Sequence, residues 1–235
     1  MDHACFGYDI VGATSPALLV ELGSQRGFSF GVFCQSARSH SIACTCYAVD
    51  TWAGDEHTGS YGEEIYDNLA SHVREFYRHH AYLLRMTFDE AVSQFSDGSI
   101  DLLHIDGLHT YEAVSHDFNT WYPKVADGGI ILFHDIAERQ GDFGVWKLWE
   151  ELRAQHQTFT FTHGHGLGVL RKAGGASLTQ EAPLLQLLFS GSEEDRQALA
   201  ELYSIGGQFL KSRRQARQFR QSREAAIKRK LSGEN

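Results

Sequence analysis

"IDLLHIDGLHTYEAVSHDFNTWYP", residues 100–123, decides the fold. Ile100 to Asp106 form a short apolar run closed by an acid, the pattern of a strand buried on both faces. Gly107 breaks it. Thr110 then stands where a side-chain oxygen caps a helix, and Glu112 falls in the first turn, where the helix dipole favours an acid. Tyr111, Val114, Phe118 and Tyr122 recur at steps of three and four, the period of a helix with one buried face. Pro123 ends it. A buried strand passing directly into an amphipathic helix is one βα unit.

Other units flank it on both sides. "ALLVELG" (17–23) and "SIACTCYAVD" (41–50) read as strands, with "GFSFGVFCQSA" as a helix between them. "IYDNLASHVREFYRHH" (65–80) carries Ile65, Leu69, Val73 and Phe76 at helical spacing. "YLLRMT" is a short strand, "FDEAVSQF" a short helix, and "GGIILFHD" another buried strand. "FGVWKLWEELRAQ" is amphipathic, with Val145, Leu148, Trp149 and Leu152 on one stripe. "TFTFTHG" and "HGLGVLRK" are extended runs split by glycine, a closing antiparallel hairpin. Apolar strands alternating with helices predict an α/β fold, mostly parallel, with helices on both faces. The domain is expected to span 1–174. "KAGGASLTQEAP" then reads as a linker, and 175–235 as a helical extension with a basic tail.

Bulk composition narrows the function. The chain has 235 residues, 42% of them hydrophobic and only 3 proline, so a sizeable core can form. Residues 1–207 hold 28 acidic against 12 basic side chains, whereas 208–235 hold 2 against 9. An acidic body argues against a general nucleic-acid binder. The basic tail could instead contact a protein partner, a second copy or an anionic surface. Cys5, Cys34, Cys44 and Cys46 include one C-x-C and no second pair, so reduced, mostly buried thiols are expected rather than a disulfide framework or zinc site. No basic n-region opens the chain, and no apolar run reaches the roughly 18–20 residues needed to cross a bilayer. A cytoplasmic location is expected.

The chemistry collects at strand ends. Glu21, Asp50, Asp106 and Asp135 each occupy the last position of a predicted strand or one step beyond. In a parallel sheet that is the edge where ligands bind. "VELGSQRG" places Glu21, Gly23 and Gly27 around a sharp turn, but the spacing is not the dinucleotide G-x-G-x-x-G. An acid there repels a pyrophosphate and suits an amine-bearing ligand. Asp50 sits where an acid accepts hydrogen bonds from ribose hydroxyls. Trp52, Tyr61 and Tyr66, among Gly54, Gly59 and Gly62, read as a cover able to stack on a ligand.

Taken together, "LVELGSQRG", "YAVDTW", the 100–123 block, "GGIILFHDI" and "GHGLGVLRK" resemble the class I S-adenosylmethionine-dependent methyltransferases. The resemblance covers roughly residues 15–172. It is closest to the sugar and small-molecule O-methyltransferases often associated with glycosyltransferases. It implies a Rossmann-like class I methyltransferase sheet and S-adenosyl-L-methionine as methyl donor. It places Glu21, Gly23 and Gly27 on the methionine portion, Asp50 on the ribose, and Thr87 and Phe88 near the adenine. In metal-using relatives, acids at the positions of Asp106 and Asp135 hold magnesium. Here the fifth strand ends His134-Asp135 rather than in two acids, and His109 stands where another acid is expected. A carboxylate pair suits Mg2+, whereas imidazole also admits manganese, iron or zinc.

The expected reaction is methyl transfer to a hydroxyl of a sugar, glycan or glycosylated small molecule, with a divalent metal as an optional aid. His109 and His134 are the candidate bases, since imidazole accepts a proton near neutrality. His134 is also a candidate metal ligand beside Asp106 and Asp135. His104, inside the strand, reads as a packed residue, and Asp117 as a supporting group. His163 and His165 border a Gly-rich turn. Rival readings are a metal-dependent hydroxylase-like or NAD-linked enzyme on the same framework, and a non-catalytic nucleoside-binding adaptor whose basic tail matters most.

Overall fold

The computed structural model describes residues 2–55, 59–175 and 182–232. The chain begins with α1 (Ala4–Thr14), then β1 (Leu18–Leu22), α2 (Phe28–Ser39) and β2 (Thr45–Asp50). Two tiny strands, β3 (Gly54–Asp55) and β4 (Gly59–Ser60), pair antiparallel before α3 (Glu63–Phe76). β5 (Ala81–Arg85), α4 (Phe88–Ala91), β6 (Ile100–Ile105), α5 (Tyr111–Trp121), β7 (Val125–His134) and α6 (Val145–Arg153) follow. β8 (Gln157–Phe161), β9 (Leu167–Arg171), α7 (Pro183–Ser190) and α8 (Glu193–Ser232) complete it.

Seven strands form one sheet in the order β5-β2-β1-β6-β7-β9-β8. The first five in that order run parallel, and β9 pairs antiparallel with both β7 and β8. The strand order reverses between β1 and β6, which opens a crevice at their carboxyl ends. Alternate side chains feed two cores. Leu19, Leu102 and Leu132 pack under α1, α2, α3, α7 and α8 with Phe6, Phe30, Leu69 and Leu188. Val20, Leu103 and Phe133 pack on the opposite side under α4, α5 and α6 with Phe118, Trp121 and Trp149. The expected α/β sheet with helices on both faces and a closing hairpin is therefore the one observed.

Three features depart from the sequence reading or extend it. Residues 4–14 form a helix where the sequence suggested no element. Its glycines and β-branched residues are weak helix formers, and packing stabilises it instead. A Cβ on Gly7 would lie 3.1 Å from the Phe33 ring, so glycine lets α1 approach α2 closely. Second, residues 193–232 form one unbroken helix of 40 residues despite Gly206-Gly207. A Cβ on Gly207 would come within 2.3 Å of the Asp2 carbonyl oxygen, so α8 touches the start of α1 there. Third, α7 and the start of α8 share the sheet's core through Leu185, Leu188, Leu199 and Tyr203. Beyond Leu210 the described side chains of α8 are all exposed.

Candidate active site

The β1–α2 turn is organised by two carboxylates. Asp50, at the end of β2, accepts the N–H groups of Ser24 at 3.0 Å and Gln25 at 2.9 Å through Oδ2. Its Oδ1 accepts the N–H of Trp52 at 2.7 Å. Glu21 works from beneath the turn. It is fully buried, accepts the Ser24 hydroxyl, and pairs with His104 Nδ1 at 2.9 Å. Gly23 has φ +83°, and a Cβ there would lie 2.1 Å from the Asp106 carbonyl oxygen, so the turn closes only with glycine.

A cavity of about 560 Å3 opens above this turn at the carboxyl edge of the sheet. Gly23 to Arg26, Asp50, Thr51, Thr87, Phe88, Asp106 and Gly107 line one end. Thr87 caps α4 in a reciprocal capping box with Glu90, which fixes the neighbouring Phe88 as a wall. Tyr61 also lines the cavity, and its hydroxyl accepts a hydrogen bond from Gln25 Nε2 at 2.9 Å.

Four groups from β6, β7 and their loops converge beside it. Asp106, His109, His134 and Asp135 each offer one ligand atom, all within 4.8 Å of one another. His109 Nε2 lies 3.4 Å from Asp106 and 3.2 Å from Asp135. His134 Nδ1 lies 3.2 Å from Asp106 and 2.7 Å from Asp135. Asp135 holds a left-handed φ of +60°, a conformation that Asp tolerates better than most residues. His109 stacks on Phe143 at 5.0 Å with an 8° interplanar angle, and its carbonyl accepts the Gly144 N–H, so the loop before α6 fixes the ring.

The electrostatics of the cluster are mutual. Burial alone would raise the Asp106 carboxyl, but the charge of the neighbouring His134 and the hydrogen bond with His109 outweigh it and hold Asp106 well below the usual carboxylate range. Burial likewise opposes a charge on His134, and Asp106 and Asp135 overcome it, raising that imidazole well above its ordinary pKa. The donor set also fits a divalent cation. Ligands about 2.1 Å from a metal stand about 3 Å apart when adjacent, which matches the 2.7–3.4 Å separations observed. His134 Nδ1 and Asp135 Oδ1 approach closely yet lack hydrogen-bond geometry, as two ligands facing one ion would. Two imidazoles with two carboxylates suit manganese, iron or zinc better than magnesium.

The structure thus brings Gly23, Asp50, Thr87, Phe88, Asp106, His109, His134 and Asp135 together around one cavity. Three expected contacts are placed elsewhere. Glu21 does not line the cavity, because its carboxylate is committed to Ser24 and His104 below. Gly27 starts α2, and a Cβ there would strike Leu69 at 2.2 Å, so it serves the packing of α3. Trp52 is 1% exposed, donates through its indole to the Gln25 carbonyl and packs edge-on against Tyr66, leaving no face to stack on a ligand. His109 joins the ligand set beyond the role of base expected for it. His3, which the sequence did not single out, lines the opposite wall. Nothing local in the sequence marks it, since α1 folds back from outside the βα units. Burial, followed by the neighbouring His163 and His134, pushes its pKa down to about 3, so its ring is neutral.

Residues 20–136 match the family described as "Methyltransferase domain". Those residues carry a methyltransferase domain, on the Rossmann-like fold of the class I S-adenosylmethionine-dependent methyltransferases. The match to this methyltransferase family spans the β1–α2 turn and all four groups of the cluster. An uncharacterized protein of Sinorhizobium fredii is 46% identical over 168 residues, 72% of this chain but 18% of its own length. The chain therefore spans under a fifth of that relative. The O-methyltransferase TomG of Streptomyces achromogenes has the same fold, with TM-score 0.54 and 10% identity over 73% of this chain and 80% of its own. The methyltransferase PaMTH1 of Podospora anserina matches with TM-score 0.55 and 12% identity, over 72% of this chain and 77% of its own. Among the described residues, no helix is long and apolar enough to cross a membrane.

Proposed function

We propose that the protein transfers a methyl group from S-adenosylmethionine to a hydroxyl of a small molecule. The observation that carries the reading is the adjoining of two sites in one cavity: a turn held by Asp50 and Glu21, and the cluster of Asp106, His109, His134 and Asp135. TomG was solved with the donor and PaMTH1 with its demethylated product, which supports the same ligand here. The sequence resemblance suggests a sugar or glycan-linked hydroxyl as acceptor.

The chain's own groups account for the steps. The turn from Gly23 to Arg26 and the Thr87–Phe88 wall fix the donor, and the neighbouring cavity presents the hydroxyl in line with its methyl group. As the oxygen–carbon bond forms, the sulfur–carbon bond breaks and its electron pair stays on sulfur. His134 is held protonated by its two carboxylates and is a poor base. His109 accepts the hydroxyl proton at Nε2, where Asp106 and Asp135 stabilise the resulting imidazolium. A divalent cation held by Asp106, His109, His134 and Asp135 would take the place of the proton on His134 and engage Nε2 of His109, so its Lewis acidity, lowering the hydroxyl's pKa, would replace His109 as the means of activating the hydroxyl.

Calorimetry with S-adenosylhomocysteine tests the donor, with micromolar binding expected. Failure to bind it, with NAD bound instead, would reject the reading. Titration with Mn2+ and Mg2+ tests the cluster. Mn2+ is expected to bind more tightly, and His134→Ala to weaken it at least about tenfold. A donor-dependent methylation rate that EDTA leaves unchanged would assign proton removal to His109 alone.

A further inference from the structure

Helix α8 packs on the body with one face and shows a second apolar face to solvent. Leu199 and Tyr203 join the core. Leu202, Ile205, Phe209 and Phe219 are instead 60–72% exposed, and Ala216 is exposed with them. Successive residues turn by about 100°, which sets this stripe roughly 120° around the helix from Leu199 and Tyr203. Its steps are three, four, seven and three residues, with Ser212 in the one gap, so the period is 3.5. A narrow stripe of that period is the seam of two paired helices, whereas a helix lying on a core has a broader apolar face. From Lys211 on, the described side chains are all exposed. Packing on the body therefore does not stabilise that half, and packing on another helix would.

The charges of α8 select the occupant and its direction. Residues 193–201 carry Glu193, Glu194, Asp195 and Glu201 against Arg196, whereas 211–223 carry six Lys or Arg and no acid. Two copies of α8 laid side by side in one direction would set these cations against each other. Laid antiparallel, the basic half of each copy lies along the acidic start of the other, beside a body with 28 acidic and 12 basic side chains in residues 1–207. The stripe fits the same arrangement. With a two-fold axis between Leu210 and Lys211, Leu202 meets Phe219, Ile205 meets Ala216 and Phe209 meets Ser212, so a large side chain faces a small one in two of the three layers. An anionic membrane fits less well. Glu201 stands one turn from Ile205 at the edge of the stripe, and lipid contact would bring it and the acidic body to a surface of the same sign.

We propose that α8 is a self-association surface, on which two copies of this chain pair antiparallel through Leu202, Ile205, Phe209, Ala216 and Phe219. The acidic body and the basic tail are then the two complementary halves of one interface. The inference concerns a surface outside the cavity and does not rest on the methyl-transfer reading.

Sedimentation velocity of the full chain between about 1 and 200 µM tests the pairing, and a monomer–dimer equilibrium with a micromolar Kd is expected. Pairing of that strength adds little to Tm at the low micromolar concentrations of a thermal melt. Ile205→Asp with Phe209→Asp places two acids in the seam. The double variant should weaken the dimer at least about tenfold and keep Tm, since both side chains are exposed in the single copy. Arg220→Glu with Arg223→Glu reads the direction. It sets acids at the level of Glu201 and should weaken an antiparallel pair about tenfold, whereas it would strengthen a parallel one. This second variant also covers the case in which the first fails to fold. Flotation with phosphatidylcholine vesicles containing about 30% phosphatidylserine tests the membrane, and no flotation is expected. A chain that is monomeric at about 200 µM, a dimer that Ile205→Asp with Phe209→Asp leaves unchanged, a dimer tightened by the charge reversal, or a chain that floats with vesicles overturns the proposal.

Discussion

Removing the Asp50 carboxylate tests how the cavity is built. Its two oxygens accept three backbone N–H groups, from Ser24, Gln25 and Trp52, at 2.7–3.0 Å. A hydrogen bond to a charged acceptor contributes about 1.5–3 kcal/mol. Gln25 is exposed and regains water in Asp50→Ala, whereas Ser24 and Trp52 are 5% and 1% exposed and do not. Two lost bonds give about 3–6 kcal/mol, and partial exposure of the carboxylate discounts this to roughly 2–4 kcal/mol. Trp52 also sits at φ +52°, a left-handed conformation unfavourable for a large side chain, and Asp50 holds its N–H. For a chain of this size the melting temperature should fall by roughly 5–15 °C. Asp50→Asn keeps one oxygen for Ser24 and Gln25 but presents an amide to Trp52, so about half the loss is expected. Thermal unfolding by circular dichroism without any ligand reads this directly and separates turn-building from contact with a ribose. An Asp50→Ala protein melting within about 2 °C of the parent would refute the reasoning.

Other changes probe separate parts of the structure. Glu21→Ala strands His104 and Ser24 in the core and should cost about 3–5 kcal/mol in urea denaturation, while Glu21→Leu with His104→Phe recovers most of it. Asp117 is 7% exposed, and burial, only partly countered by His116, pushes its pKa up to about 7. The folded state then holds a proton between about pH 4 and 7 that the unfolded chain has released, so stability falls as pH rises through that window. Asp117→Asn should therefore stabilise by roughly 1–3 kcal/mol at pH 8 and change little at pH 3; equal effects at both would contradict the burial argument. Truncation after Lys211 removes only exposed described side chains and keeps the ion pair of Lys211 with Asp2 at 2.6 Å, so Tm should stay within about 2 °C.

Much of this molecule was legible in its sequence. Apolar strands ending in acids and helices with a buried face at regular spacing, two of them capped by Thr87 and Thr110, specify local structure through backbone propensity and burial, and these act over a few residues. Because strands in such a sheet run parallel, their final acids reach one edge, and Asp50, Asp106 and Asp135 were found there. What lay beyond the sequence depended on which neighbour each group met. Glu21 and Trp52 end at the same edge, yet one is claimed by His104 from the adjacent strand and the other by Tyr66 from α3. Gly207 lies within α8 where a Cβ would strike the Asp2 carbonyl oxygen, a contact that the sequence does not show. His3 enters the cavity wall only because α1 packs on α2. Strand, helix and ligand-edge acids follow from short-range chemistry, whereas the partner that satisfies or occupies each side chain is a long-range contact, decided when the sheet and its outer helices close on one another.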